Sequence, residues 1–201
     1  MDDDTLMFPK APVIELYDPL GDLLGAGDGV YRYSFDDAVK LAGHACPTVA
    51  GGFLLVLTAL RHLYGNERPR RGAVRVTVQG APDQGSTGPL TQVITLLTGA
   101  AAENGFQGLG GHHARQGLLR FAPAAASGPT RLTFERVDTG ANVTLVYDPS
   151  PIPAGPAMGA HLTAILSGQD DEPTRQRFTQ AWRDRVEAIL ADGGQQTIRE
   201  V

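Results

Sequence analysis

Gly43-His44-Ala45-Cys46-Pro47-Thr48-Val49-Ala50-Gly51-Gly52-Phe53-Leu54-Leu55-Val56-Leu57 governs how this chain is read. A glycine, a short link and a proline ahead of a long apolar run mark where one helix stops and another starts. Pro47 suits the first helical position, which needs no amide hydrogen. Val49, Phe53, Val56, Leu57, Leu60 and Leu63 then recur at helical spacing until Gly65-Asn66 ends the run. Cys46 is thus a cap or first-turn residue. The first amides of a helix are unpaired and carry partial positive charge, which favours a thiolate and makes the sulfur a nucleophile or a metal ligand. The competing role is a small buried hydrophobe, a common fate of free cysteine.

Upstream, Ser34 with Asp37 forms the pattern of a capping box, and Phe35, Ala38, Val39 and Ala42 line one face of a short helix that stops at Gly43. Before it, residues 1–33 read as an extended arm with short strands at most, broken by Pro9, Pro12, Pro19 and Gly-Asp turns. Downstream, Val74, Val76 and Val78 alternate with Arg75, Thr77 and Gln79 as a half-buried strand. The turn-rich loop Gly80 to Pro89 follows, then a helix through Leu90, Val93, Ile94 and Leu97 that ends near Gly99. Gly105 to Gly117 holds five glycines around His112 and His113, so the backbone there can approach a ligand or another chain closely. Strands are expected at Leu118–Phe121, Arg131–Val137 and Ala141–Tyr147, the last two joined as a hairpin at Asp138-Thr139-Gly140. Helices are expected near Gly159–Leu166 and Thr174–Ala191, the longer burying Phe178, Trp182 or Ala181, Val186, Ile189 and Leu190. The organisation is an arm (1–33), a core domain (34–148) and a C-terminal helical extension (149–201).

With 201 residues and 42% apolar content, the chain suits one domain with a real core. A net charge of -5 argues against nucleic acid, and Arg68, Arg70 and Arg71, the one dense cationic cluster, read as a solvated turn. No stretch reaches the roughly 18 apolar residues of a membrane span. Asp2-Asp3-Asp4 stands where a signal peptide would carry positive charge, so a cytoplasmic protein is expected. A single cysteine forbids an internal disulfide and a four-cysteine zinc ribbon. Neither a phosphate-cradling GxxxxGK[ST] nor a GxGxxG after a strand is present, which disfavours nucleotide cofactors.

Leu41-Ala42-Gly43-His44-Ala45-Cys46-Pro47-Thr48 resembles the signature of the FmdE family, named after a component of formylmethanofuran dehydrogenase: an aromatic-His-Gly-His-x-Cys-Pro-Gly run opening a helix. Ser86 to Ala100, with Leu97-Thr98-Gly99 retained, resembles a second element of that family, and Gly111-His112 a third. The resemblance spans roughly residues 34 to 125 and implies an α+β fold with a twisted, largely antiparallel or mixed sheet packed by helices, dimers that exchange elements, and zinc in a cleft containing the His-x-Cys. This chain departs from the pattern at Ala42, at Thr48, and where later cysteines give way to Ser86 or Thr87 and to Ala100.

Three functions are therefore expected as alternatives. In the first, zinc or another divalent transition metal is held by His44 and Cys46, with His112 or His113 and Asp83 completing the set, and acts on water or a carbonyl. In the second, Cys46 is a metal-free nucleophile with a histidine base in acyl or alkyl transfer, and Ser86 and Thr87 offer hydroxyls and amides to an oxyanion. In the third, weaker alternative, Cys46-Pro47 is a heme-responsive binding motif. The partners expected are a small-molecule substrate and a second copy in a homodimer. His62 and His161 read as helix-surface residues.

Overall fold

In a computed structural model of the chain, residues 6–123 and 130–201 are described. The elements run β1 (Ile14–Tyr17), α1 (Pro19–Leu23), β2 (Val30–Tyr33), α2 (Phe35–Ala42), α3 (Pro47–Tyr64), β3 (Val74–Gln79), α4 (Thr87–Thr98), β4 (Leu119–Ala122), β5 (Arg131–Arg136), β6 (Asn142–Tyr147), α5 (Met158–Leu166), α6 (Glu172–Asp192) and β7 (Ile198–Glu200). Asp2 to Asp4, on which the signal-peptide argument rests, lie outside the described residues.

Five strands form one sheet in the order β4-β3-β5-β6-β7, and β1 and β2 pair as a separate antiparallel ribbon. The α+β class with a mixed sheet is therefore what the chain adopts. Only β3 and β4 run parallel, because α4 and the glycine-rich segment cross between them; the other pairs are antiparallel. Alternation puts Val74, Val76, Val78, Leu132, Phe134, Val143 and Leu145 in the core. On the opposite face Thr133 and Thr144 bond across the strands at 2.8 Å, and Arg75 meets Glu135 at 2.5 Å. Helix α3 is apolar around its circumference: thirteen of its eighteen residues are buried, from Val49 to Tyr64. It packs against α4, α6, α2, β6 and β5. Arg61 and His62 interrupt its last turn, and no helix among the described residues is long and apolar enough to cross a membrane.

Two segments hold elements beyond the sequence reading. The arm carries a short helix, α1, and buries Phe8, Ile14 and Leu16 in the same core as α3, because its apolar residues have no other cover. The C-terminal segment is not only helical: Ile198–Glu200 adds strand β7 beside β6, and Val186, Ile189 and Leu190 of α6 join the core. The capping box of α2 forms around Asp37, whose carboxylate accepts from the Ser34 amide at 2.8 Å and its hydroxyl at 2.9 Å.

Asp18 ties the N-terminal ribbon to this core. Its carboxylate caps α1 through the Leu20 amide at 2.9 Å and accepts from Arg71 at 2.9 Å and Arg115 at 2.6 Å, while the residue is only 4% exposed. Burial alone would raise the Asp18 pKa, but the Arg71 hydrogen bond and the Arg115 charge prevail and hold it below its ordinary value of 3.8. A folded-state value below the unfolded one means that this stabilisation is full above the unfolded pKa and is lost as pH falls through the folded one. Asp18→Asn leaves two guanidinium groups without their shared anion and is expected to destabilise by about 3–5 kcal/mol. In urea titrations the wild type loses stability between about pH 5 and pH 2, and the variant loses less over that range; equal acid losses in both would show that Asp18 contributes no acid-sensitive stability.

Candidate functional site

Two helices begin at the same edge of the sheet. Helix α4 starts where β3 ends, since Gly80 approaches the Thr87 hydroxyl, and finishes where β3 begins, since the Gly72 amide donates to the Thr98 carbonyl at 2.7 Å. Helix α3 starts beside the end of β6, where the Tyr147 hydroxyl donates to the Pro47 carbonyl at 2.7 Å. Its last turn reaches the end of β5, where Arg136 donates to the Leu63 carbonyl at 3.4 Å. Because β3 and β5 are antiparallel with Val74 opposite Arg136, both helices run against β3 and present their N-termini together. Gly52 permits this approach: a Cβ there would lie 3.1 Å from Val93 and 3.2 Å from the Leu90 carbonyl.

Cys46 is the N-cap of α3, in extended conformation with φ -151° and ψ 167°. Its Sγ accepts from the Val49 amide at 3.5 Å, the position a serine or aspartate oxygen usually takes. The residue is half-buried, as is Pro47 after it. Two aromatic residues fix the link around it: the Trp182 indole, from α6, donates to the Ala45 carbonyl at 2.7 Å, and Tyr147 holds Pro47. His44 is exposed, and its Nδ1 lies 2.9 Å from the Ala42 carbonyl. A carbonyl only accepts, so Nδ1 carries the hydrogen and the neutral ring keeps its lone pair on Nε2.

Beside this mouth, Ser86, Thr87, Leu90, Thr130, Leu132 and Tyr147 line a cavity of about 90 Å3. Ser86 is the N-cap position of α4, its side chain capping no amide, and Thr87 is buried at the first helical position. Burial raises the Tyr147 pKa above its ordinary value, so the phenol stays protonated and serves as a donor. Tyr147 therefore joins the two helix starts, with its hydroxyl on α3 and its body lining the cavity at α4.

The structure gathers some of the expected residues and separates others. Cys46, His44, Ser86 and Thr87 lie at this edge, as does the exposed Asp83 in the loop after β3. His112 and His113 lie elsewhere. Leu109 and His112 exchange backbone hydrogen bonds at 2.8 and 2.9 Å in a tight turn, and His113 borders Gly72 and Arg71, at the opposite end of β3. The expectation that a histidine of the glycine-rich turn meets Cys46 is therefore corrected: the crossover through α4 carries that turn back to the start of β3. Among the described residues no three His, Cys, Asp or Glu side chains are grouped to hold a metal ion. His62 lies 3.8 Å from Glu200 at the far end of α3, and His161 is half-buried on α5.

Sequence reasoning missed Tyr147 and Trp182. The first lies 100 residues along the chain from Pro47 and the second 137 from Ala45, yet together they fix the geometry of the link. The signal for Tyr147 was the Gly51-Gly52 pair inside an otherwise apolar helix, since adjacent helical glycines mark close approach. A Cβ on Gly51 would lie 2.3 Å from the Tyr147 ring. Comparison with known proteins finds no family model that matches this chain, and no curated protein matches it.

Gly51→Ala should gain about 1 kcal/mol of helix propensity but lose more by forcing Tyr147 aside, a net destabilisation of about 1–2 kcal/mol. In a Tyr147→Ala background the same change should stabilise. Guanidinium unfolding of the four proteins checks this, and a stabilising Gly51→Ala in the wild type contradicts the packing.

Proposed function

We propose that the protein is a thiol-dependent transferase or hydrolase of small acyl substrates, with Cys46 as its nucleophile. The observation that carries this reading is the capping of α3 by the Cys46 sulfur at the edge where α4 also begins. Amides of a first helical turn favour the anionic form of a capping sulfur and an oxyanion placed near them. His44 Nε2, the free lone pair of that ring, is the general base. The thiol proton passes to Nε2 as Sγ bonds to the acyl carbon; the carbonyl electron pair moves to oxygen and returns as the leaving group departs with that proton. Water or a second acceptor then takes the acyl group from sulfur. Ser86 and Thr87 supply the hydroxyl and amide donors toward the oxyanion, and the small cavity beside Tyr147 favours a short acyl chain.

The metal reading is supported by one observation, the lone pair of His44 Nε2 two residues from a half-exposed thiol. Asp83 shares this edge but is not grouped with His44 and Cys46, and the glycine-rich turn lies at the other end of β3, so the described residues of one chain bring together at most two ligands where zinc takes three or four. A second copy is the remaining source of ligands, so the homodimer expected from the sequence belongs to this reading. Heme ligation by Cys46 has no geometric support beyond the exposed neighbouring histidine.

Incubation with p-nitrophenyl acetate followed by mass spectrometry tests the proposal. Acetyl adduct should form on Cys46 faster in the native protein than in urea-unfolded chain, be absent in Cys46→Ser, and slow by roughly a hundredfold in His44→Ala. Slower acetylation in the native state, or no effect of His44→Ala, overturns it.

A further inference from the structure

At the opposite end of β3 lies a depression of about 250 Å3 bordered by Arg70, Arg71, Gly72, His113, Arg115 and Asp138. The arginine cluster read from sequence as a solvated turn divides here. Arg68 pairs outward with Glu15 at 3.0 Å, whereas Arg71 turns inward to Asp18 with its side chain 22% exposed. Arg115, from the glycine-rich turn, is 6% exposed, and its guanidinium presses on Gly72, where a Cβ would come within 1.2 Å of Nη1.

The charges in this corner do not balance. Asp138 and Glu67 share Arg136, which donates to each at 2.8 Å. Asp18 is one carboxylate facing both Arg71 and Arg115, and Arg70 has no ion-pair partner among the described residues. Arg70, Arg71, Arg115 and Arg136 face Asp18, Asp138 and Glu67, which leaves one positive charge around a concave surface.

The donors are not all used either. Arg71 spends its Nε and Nη2 on the Leu96 carbonyl at 3.3 and 2.9 Å. Arg115 Nε is buried without a hydrogen-bond partner, and orphaned buried donors cost free energy unless something accepts from them. The turn over this surface holds His113 at φ 60°, the one described non-glycine residue with positive φ. Backbone strain of that kind persists where surrounding structure enforces it, often at ligand sites.

We propose that this depression binds a phosphate group, free or carried as a monoester on a small molecule. The excess positive charge, centred on the unpaired Arg70, complements an anion. The Arg70 guanidinium fork is free to match its oxygens, and the volume admits the phosphate with a small substituent beside it. The site is independent of the Cys46 reading, which concerns the other end of the sheet.

Calorimetric titration of the full chain with inorganic phosphate at low ionic strength tests this. Arg71 and Arg115 also hold Asp18, so the informative variants are Arg70→Gln and Ala114→Glu, at exposed positions bordering the depression. Each should weaken phosphate binding at least tenfold without moving the urea midpoint, and Cys46→Ser should bind as the wild type does. Methyl phosphate binding as tightly as inorganic phosphate would assign the site to monoesters, and inorganic phosphate binding alone would assign it to the free anion. Absence of saturable phosphate binding, or wild-type affinity in both variants, overturns the proposal.

Discussion

A helix that is apolar on every side is stable in water only if other elements enclose it, and α3 is such a helix. Covering it requires α4 and α2 on one flank, α6 on another, and the valine and leucine face of the sheet beneath. Once those surfaces are committed, little freedom remains in how the helix sits. Gly51 and Gly52 set its depth by admitting the Tyr147 ring and the α4 backbone with no side chain between. The position of Cys46 follows from the same burial, because the N-cap of a helix locked along its length cannot wander.

The enclosure also explains why the chain's two ends belong to one body. Residues 6–33 and 149–201 supply apolar side chains to the core that the sheet alone would leave uncovered, and polar contacts fix each of them in place. Asp18 anchors the first through two arginines, and Trp182 anchors the second through the Ala45 carbonyl next to Cys46. The latter contact makes α6 part of the support of the site rather than an appendage. Oriented groups held by rigid helices and locked by outer contacts are the usual means by which a reactive side chain is kept in place.

Much of this was legible from residues alone where the signal was local. The capping box at Ser34 and Asp37, the stop at Gly43, the start at Pro47, the strand alternation of Val74, Val76 and Val78, and the hairpin at Asp138-Thr139-Gly140 all depend on neighbours in sequence, and each formed close to its expected place. What depended on topology was not legible. Placing His112 or His113 beside Cys46 required knowing which way the chain returns after α4, and the parallel pairing of β3 with β4 sends the glycine-rich turn to the far end. Tyr147 and Trp182 escaped notice for the same reason, as a half-buried aromatic residue at the end of a strand or on a helix looks like core until its partner is known. The strand β7 was hidden by its brevity, at three residues after a glycine pair.

On the proposed reading, Cys46 works in the combined field of two helix N-termini. Such a field should draw an anionic reagent toward the sulfur, which separates it from mere exposure. The quantity that reports it is the ratio of second-order rate constants for Cys46 modification by iodoacetate and by iodoacetamide, against the same ratio for a short unstructured peptide spanning residues 43–49. A several-fold larger ratio is expected in the folded protein, shrinking as salt is added. A ratio equal to or below that of the peptide would contradict the role given to the two helix starts.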